Sequence, residues 1–253
     1  EKHAWVYLPA GYDAADKSKK YPVFILLHGF GQNENTWGLT DQGRGGKIKG
    51  YMDRGKKAGT VEKFILVVPT GVASKQWGPN GAGNDFNGFN AFAGELRDDL
   101  LPYIRENFNV KPGRDNVALA GLSMGGGQTF SIGIAQCLDL ISNFAGFSGA
   151  LFTNPDTFIA GVDGNKDFKG LKIHNLYLTC GDNDFVVYNP NPQNGMPGYQ
   201  EYVKAIKNWS RIETFNEYTF PGGTHDFPVW YHGFKDFIQI VFKKGVQLYA
   251  ARP

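Results

Sequence analysis

The sequence predicts an α/β fold with a mostly parallel central sheet and helices on both faces. Seven short apolar runs are typical of buried strands, and most are followed by Gly, Pro or Asn. Helical patterns lie between several of these runs. Near-continuous apolar strands that alternate with helices indicate a parallel sheet covered on both sides, with the first one or two strands as candidates for antiparallel pairing.

The predicted elements follow one another along the whole chain. The strand candidates are residues 4–8, 21–27, 63–69, 116–121, 141–147, 174–180 and 214–220. Spacings of three and four place one apolar set on a single helix face, namely Phe92, Leu96, Leu100, Tyr103, Ile104 and Phe108. Other helical patterns lie at about 126–137, 198–209 and 232–243. Neither an internal repeat nor a linker-like stretch interrupts this order, so residues 1–253 are predicted to form a single domain.

Composition excludes several classes of protein. With 253 residues, of which 42% are hydrophobic and 20% charged, the chain can bury a full core, so disorder is not expected. The net charge is +2 and the cations are scattered, which argues against a nucleic-acid partner. No apolar run approaches the roughly 20 residues that span a bilayer. The first residues show no signal-peptide core, so the protein is predicted to be cytoplasmic or to have lost a leader.

A nucleophile motif follows the fourth strand candidate. Residues Gly121-Leu122-Ser123-Met124-Gly125 match G-x-S-x-G, in which the serine occupies a strained strand-to-helix turn and the glycines leave room for close backbone approach. The helix predicted after it directs free N–H groups at the space above Ser123. The strand before and the helix after favour a nucleophile over a purely structural turn.

A serine nucleophile needs a base, and the base needs an orienting acid. His225 lies on a glycine-rich loop after the last strand candidate, and His28 is a rival for the base. The loop after 174–180 offers Asp182 and Asp184. Asp184 is preferred because it can turn back toward the histidine, whereas Asp182 is suited to bracing the turn. The order Ser, Asp, His is the one expected for this motif in an α/β-hydrolase.

Two backbone N–H groups are expected to stabilise the oxyanion of such a reaction. One belongs to Met124, the residue after the nucleophile. The other is predicted at Phe30, because residues 28–31 resemble an HG-type oxyanion segment. No spacing among the five histidines is typical of a metal site, so no metal is predicted.

Three further features are weaker signals. Ser148 has small neighbours at a strand end, but Asn154 and Pro155 follow instead of a glycine-led helix. Residues 50–57 approximate a phosphate loop without its final Ser or Thr and without a preceding strand, so that reading is rejected. Cys137 lies roughly 20 Å along the helix that begins after Ser123, whereas Cys180 ends a strand at the same edge of the sheet as Ser123, so the two are predicted to be too far apart to bond.

Four sequence blocks together resemble the feruloyl esterases of carbohydrate esterase family 1, relatives of esterase D. They are LHGFGQNENTW, ALAGLSMGGGQTFSIG, LTCGDNDF and GGTHDFPVW, spread over residues 27–230. The resemblance implies a single α/β-hydrolase catalytic domain that releases ferulic or related hydroxycinnamic acids from arabinoxylan, without a cofactor. It also implies a secreted enzyme or part of a larger cell-wall-degrading enzyme. By motif, it assigns Ser123 as nucleophile, Asp184 as acid and His225 as base.

Substrate choice is expected to lie in the long segments 70–90 and 185–199, where the chain departs from the family pattern. Trp77, Phe86, Phe89 and Trp230 are the candidates for an acyl pocket, although rings that attach a loop to the core would look the same. An acetylxylan esterase or a small thioester hydrolase is the alternative within the same chemistry. A catalytically silent carbohydrate-binding relative is the alternative outside it.

Overall fold

The computed structural model describes residues 2–40, 47–73, 85–193 and 195–249. These residues form a seven-stranded sheet with the order β1-β3-β2-β4-β5-β6-β7. The strands are β1 Ala4–Tyr7, β2 Val23–Leu27, β3 Ile65–Pro69, β4 Val117–Leu122, β5 Asn143–Phe147, β6 Ile173–Gly181 and β7 Ile212–Phe220.

All strands except the first run parallel. β1 pairs antiparallel with β3, with Ala4 opposite Pro69. The other five pairings are parallel, and the central strand β4 lies between β2 and β5. Each strand coincides with one of the apolar runs, so the predicted fold class is confirmed, and the antiparallel part is β1 alone.

The helices cover both faces of this sheet. They are α1 Lys47–Lys57, α2 Phe86–Gly94, α3 Leu101–Asn107, α4 Met124–Gln128, α5 Pro155–Gly164, α6 Tyr199–Ile206 and α7 Phe227–Ile240. Two π-helical stretches, Glu95–Leu100 and Thr129–Ile134, continue α2 and α4.

Two helices were not predicted. In α1 only Ile48 and Met52 are buried, so its apolar pattern is too sparse to indicate a helix. The start of α5 is marked by a capping residue and not by apolar spacing. The Asn154 side chain accepts hydrogen bonds from the N–H groups of Asp156 and Thr157, and Pro155 occupies the first turn. This is an ordinary helix start.

A π-turn changes the buried face of the helical segment 86–107. The predicted face included Tyr103, which is instead exposed, whereas Leu101 is buried. The π-helical residues Glu95–Leu100 add a residue to the turn, so burial steps from Leu96 to Leu101 and then to Ile104. Regular α-helical spacing could not have shown this shift.

Alternating side chains of the strands supply the two halves of the core. In β2, Val23, Ile25 and Leu27 pack on one face, and Phe24 and Leu26 pack on the other. All five are fully buried. This two-residue alternation, with both directions apolar, is what a strand covered on both faces requires.

The loops that follow the parallel strands meet at the carboxyl edge of the sheet. The loops after β2, β4, β6 and β7 carry His28, Ser123, Asp184 and His225. Ligand sites of parallel sheets form at this edge. Within the described parts of the chain, no helix combines the length and the apolar character that crossing a bilayer demands.

Gly127 provides a test of how tightly α4 packs against the loop after β5. A Cβ at Gly127 would lie 2.2 Å from the Ala150 carbonyl oxygen, whereas a Cβ at Gly161 of α5 would meet nothing within 4 Å. We expect Gly127→Ala to lower the free energy of unfolding by about 1–3 kcal/mol. Gly161→Ala, the matched control, should raise it by about 0.5–1 kcal/mol. Urea titrations with unchanged slope measure both, and equal stability of the two variants would contradict the packing argument.

Candidate active site

Ser123 occupies a strained turn between β4 and α4. Its φ is 50° and its ψ is −117°, a backbone conformation that residues other than glycine rarely adopt. Three backbone hydrogen bonds hold it: Ser123 N–H donates to Phe147 O (2.9 Å), and Ser123 O accepts from Gly127 N–H (3.0 Å) and Ala150 N–H (2.9 Å). The turn leaves the Ser123 side chain partly exposed.

The glycines beside Ser123 allow backbones to touch. A Cβ at Gly121 would lie 2.4 Å from the carbonyl carbon of Gly125, and a Cβ at Gly125 would lie 2.4 Å from the His28 carbonyl oxygen. Side chains at either position would therefore push α4 away from β4 or from the loop after β2. The strained serine and its flanking glycines form one unit.

Ser123, His225 and Asp184 are joined by hydrogen bonds. The Ser123 hydroxyl donates to Nε2 of His225 over 3.0 Å, and Nδ1–H of His225 donates to Oδ2 of Asp184 over 2.8 Å. His225 lies 41 positions after Asp184 and 102 positions after Ser123 in the chain. The structure thus brings together the three residues that the sequence predicted as base, acid and nucleophile.

The Asp184 carboxylate is buried and surrounded by donors. Its Oδ1 accepts from the N–H groups of Val186 (3.0 Å) and Val187 (3.2 Å), and its Oδ2 also accepts from the Cys180 thiol (3.6 Å). Burial by itself raises the pKa of Asp184, but the hydrogen bond and charge of His225, together with the Ser148 hydroxyl and the Val186 N–H, lower it further than burial raises it. The carboxylate is therefore ionised at neutral pH and holds the imidazole in one tautomer.

The predicted oxyanion segment lies beside Ser123. A Cβ at Gly29 would be 3.1 Å from the Ser123 Cβ, which places the loop after β2 against the nucleophile turn. Phe30 and Met124 therefore lie on the two chain segments that flank the serine. Their role as backbone donors stays a prediction.

Two of the three rival residues, Asp182 and His28, have hydrogen-bond partners outside the Ser123–His225–Asp184 chain. Asp182 accepts a hydrogen bond from Gly222 N–H (2.7 Å) and so braces the loop that carries His225. The His28 ring is fully buried, and its Nδ1 lies 2.8 Å from the Gly29 carbonyl oxygen. Ser148 also has a positive φ of 47°, but it is fully buried.

The structure places the predicted acyl-pocket residues in different environments. Trp77 lies outside the described residues. Phe86 is exposed and stacks on the ring of Phe30, with centroids 4.7 Å apart, whereas Phe89 is buried. Trp230 is also buried and meets the His225 ring edge-on at 5.2 Å. Trp230 thus packs against the imidazole.

A cavity of about 150 Å³ lies next to Met124, and sequence reasoning found only one of its walls. Its lining residues are Phe89, Asn90, Met124, Gly127, Gln128, Phe130, Ser131, Ala150, Leu151, Phe152, Thr153, Phe158 and Tyr202. The segment 150–153 follows β5 and carries no motif that marks it as a pocket wall. The available signal was the helix start at Asn154, which directly follows this segment and shows that it is a short connection between β5 and α5.

Gln128 is a further residue that sequence reasoning did not single out. Its buried Nε2 donates to the carbonyl oxygens of Gly71 (2.7 Å) and Phe89 (3.0 Å). These two carbonyls lie near the two ends of segment 70–90. One side chain of α4 therefore fastens both ends of that segment beside the cavity.

The described residues carry neither a metal cluster nor a disulfide. No group of three or more His, Cys, Asp or Glu side chains among them is arranged to hold a metal ion. Cys137 and Cys180 are both buried and free, as predicted. Burial, followed by the charge of Asp184, raises the pKa of Cys180, so it is a thiol that donates to the carboxylate.

The strand order, the serine turn after β4 and the later loops with Asp and His define an α/β-hydrolase. The chain belongs to the Esterase family, whose model, described as "Putative esterase", matches residues 1–136.

Two similar proteins are named as feruloyl or ferulic acid esterases. The chain is 30% identical over 249 residues to an endo-1,4-beta-xylanase/feruloyl esterase of Xylanibacter ruminicola, covering 94% of this chain. It spans only 29% of that relative's length. A CE1 ferulic acid esterase of Anaeromyces mucronatus, solved in complex with ferulic acid, is 26% identical with a TM-score of 0.73. That match covers 95% of this chain and 85% of the other.

A third similarity supports the fold. The feruloyl esterase module of Clostridium thermocellum, solved with sinapinate, has a TM-score of 0.75 at 21% identity. The match covers 100% of this chain and 90% of the other. The resemblance to family 1 feruloyl esterases expected from the four sequence blocks is confirmed by these relatives.

Gln128 gives a test of the anchored segment. We expect Gln128→Met to lower the free energy of unfolding by about 1–3 kcal/mol, because the buried carbonyls of Gly71 and Phe89 lose a side-chain donor. Gln136→Met is the matched control, since the exposed Gln136 donates only to the Ser131 carbonyl, and it should change stability by less than about 0.5 kcal/mol. Urea unfolding measures both, and an unchanged Gln128→Met would show that the anchor contributes nothing.

Proposed function

We propose that the protein is a serine esterase that hydrolyses feruloyl or related hydroxycinnamoyl esters of plant cell-wall arabinoxylan through an acyl-serine intermediate. The observation that carries this proposal is the 3.0 Å contact between Ser123 Oγ and His225 Nε2, with His225 held in turn by Asp184. The named activities of the two similar proteins supply the acyl group.

Each member of the hydrogen-bonded chain has one task. His225 accepts the Ser123 proton as the hydroxyl attacks the ester carbonyl, and then donates it to the departing sugar hydroxyl. Asp184 orients the imidazole and stabilises its protonated form. His225 next activates the water that releases the acid from Ser123. Water and these side chains complete the reaction, so the proposal needs neither metal nor cofactor.

The oxyanion is proposed to lie between the N–H groups of Phe30 and Met124. The first belongs to the loop that packs against Ser123, and the second begins α4. In this proposal both main-chain donors are in place before the substrate arrives. Such preorganised donors favour the transition state because the oxygen becomes charged only there.

The cavity beside Met124 is the proposed acyl pocket. Its wall includes Phe89, Leu151 and Phe152, which suit the ring of a hydroxycinnamoyl group. An acetyl group would fill only a small part of its roughly 150 Å³. The size and the aromatic wall therefore favour an aryl acyl group over the acetyl group of an acetylxylan esterase.

Exposed rings surround this edge of the sheet and support a carbohydrate partner. Phe30, Phe152 and Phe185 are 44%, 48% and 86% exposed and lie on loops that follow parallel strands, and Phe86, at the start of α2, is 52% exposed. Exposed aromatic rings can stack on the faces of sugars. We propose that they contact the polysaccharide that bears the ester.

The setting of the domain is proposed from its relatives. The Xylanibacter relative combines xylanase and feruloyl esterase in its name, and this chain spans less than a third of it. We therefore propose that residues 1–253 act as one catalytic domain of a secreted, multidomain xylan-degrading enzyme. The proposal includes neither a nucleic-acid partner nor a membrane partner.

Replacement of the nucleophile tests the reaction. Ser123→Ala should lower kcat/KM for methyl ferulate by about 10⁴-fold or more, because among the described residues only the Ser123 hydroxyl is hydrogen-bonded to Nε2 of His225. Ser148→Ala, the rival serine, should stay within about tenfold of wild type. Circular dichroism checks that both variants are folded. Retained activity in Ser123→Ala would reject Ser123 as the nucleophile, whereas a wild-type protein that does not hydrolyse the ester would favour a carbohydrate-binding role.

Substrate comparison tests the acyl pocket. The wild-type protein should hydrolyse methyl ferulate with a higher kcat/KM than an acetyl ester or a small thioester. Phe152→Ala should raise KM for methyl ferulate about 3- to 10-fold through loss of an aromatic contact, with little change for the acetyl ester. Tyr103→Ala, an exposed ring of α3 outside the cavity, should change neither. A preference for the acetyl ester would contradict the aryl pocket.

A further inference from the structure

His28 ends β2 with a buried imidazole that takes no part in the chain from Ser123 to Asp184. The side chain is fully buried, and Nδ1 lies 2.8 Å from the Gly29 carbonyl oxygen. Because a carbonyl oxygen only accepts, Nδ1 carries the proton. Nε2 has no hydrogen-bond partner among the described residues.

This imidazole is neutral and has one N–H to donate. Burial lowers the pKa of His28 to about 4, so the ring is uncharged at neutral pH. Its ring meets that of Phe89 edge-on with centroids 6.1 Å apart. A buried ring nitrogen without a partner costs stability, and an apolar side chain would avoid that cost. The hydrogen bond from Nδ1–H to the Gly29 carbonyl is therefore what a histidine provides here and an apolar side chain would not.

The peptide unit between Gly29 and Phe30 is held by hydrogen bonds on both sides of Gly29. The Gly29 carbonyl accepts from His28 Nδ1–H and from the Gln32 N–H (3.3 Å), while the Gly29 N–H donates to Gln32 Oε1 (2.8 Å). In a planar trans peptide, the Gly29 C=O and the Phe30 N–H point in opposite directions. Fixing the Gly29 carbonyl therefore fixes the direction of the Phe30 N–H.

This peptide lies against the nucleophile. A Cβ at Gly29 would come within 3.1 Å of the Ser123 Cβ and 2.9 Å of a Leu122 methyl group. The His28 carbonyl is in turn packed against Gly125. The loop therefore has little freedom to translate. The Gly29–Phe30 peptide could still rotate, and the His28 side chain opposes that rotation.

We propose that His28 is a positioning residue, whose Nδ1–H holds the Gly29–Phe30 peptide so that the Phe30 N–H faces the oxyanion. This inference rests on the proposed ester hydrolysis and adds a residue to it. His28 acts through the main chain, without touching the ester and without exchanging a proton during the reaction.

The role has a kinetic signature. The ester oxygen gains its full charge only in the transition state, so a misdirected Phe30 N–H weakens transition-state binding more than substrate binding. Loss of the His28 donor should therefore lower kcat and leave KM nearly unchanged.

Three substitutions separate the two ring nitrogens. His28→Asn retains an N–H donor near the position of Nδ1, His28→Gln places its amide near the position of Nε2, and His28→Leu has no donor. With p-nitrophenyl acetate and methyl ferulate as substrates, we expect His28→Asn to keep kcat within about threefold of wild type. His28→Gln and His28→Leu should lose about 10- to 100-fold in kcat, with KM within about twofold.

A transition-state analogue supplies the readout that a purely structural role would not change. A trifluoromethyl ketone analogue of the ester forms a charged adduct with the serine, so its Ki should rise by the same factor by which kcat/KM falls. The Ki of coniferyl alcohol, a neutral ligand with the same aryl ring and no carbonyl oxygen, should stay constant across the variants. Thermal midpoints are measured in parallel.

The outcomes distinguish this inference from the function on which it rests. Wild-type kcat in His28→Gln, or a loss in His28→Asn as large as in His28→Gln, would overturn the positioning role. The Asn and Gln variants decide the matter even where His28→Leu does not fold. A wild-type protein that hydrolyses neither ester would instead contradict the proposed esterase function itself.

Discussion

Close contact between backbones at the Ser123 turn is the constraint on which the site depends. Gly121 and Gly125 let β4, α4 and the loop after β2 approach to distances that a Cβ would prevent. Gly126 and Gly127 extend this contact to the loop after β5. The same packing holds Ser123 at a positive φ, so the cost of strain is met by contacts spread over several strands.

A buried carboxylate gives the site its second fixed point. Asp184 is almost fully enclosed, yet four donors from Val186, Val187, His225 and Cys180 satisfy its oxygens. A buried charge is stable only when it is paired and hydrogen-bonded in this way. The carboxylate remains ionised as a result, and the imidazole that contacts Ser123 is held from behind.

Sequence reasoning located the sheet and the chain segments of the site because both have local signatures. Apolar runs mark the seven strands, and glycines around Ser123 mark the turn. It missed α1, whose apolar pattern is sparse, and it placed Tyr103 on a buried face because a π-turn is invisible to regular spacing. The catalytic roles given to Ser123, Asp184 and His225 stay predictions, although the geometry of the three side chains supports them.

The sequence by itself determined the succession of the seven strands, the strand–turn–helix at Ser123, and the loops that carry Asp184 and His225. These features depend on residues that are neighbours in the chain, so their patterns can be read directly. Only the tertiary structure decided which side chain anchors segment 70–90, which thiol reaches Asp184, and which loop closes the cavity beside Met124. Each of these contacts joins segments brought together by the packing of the sheet and its helices, and no local pattern encodes such a distance.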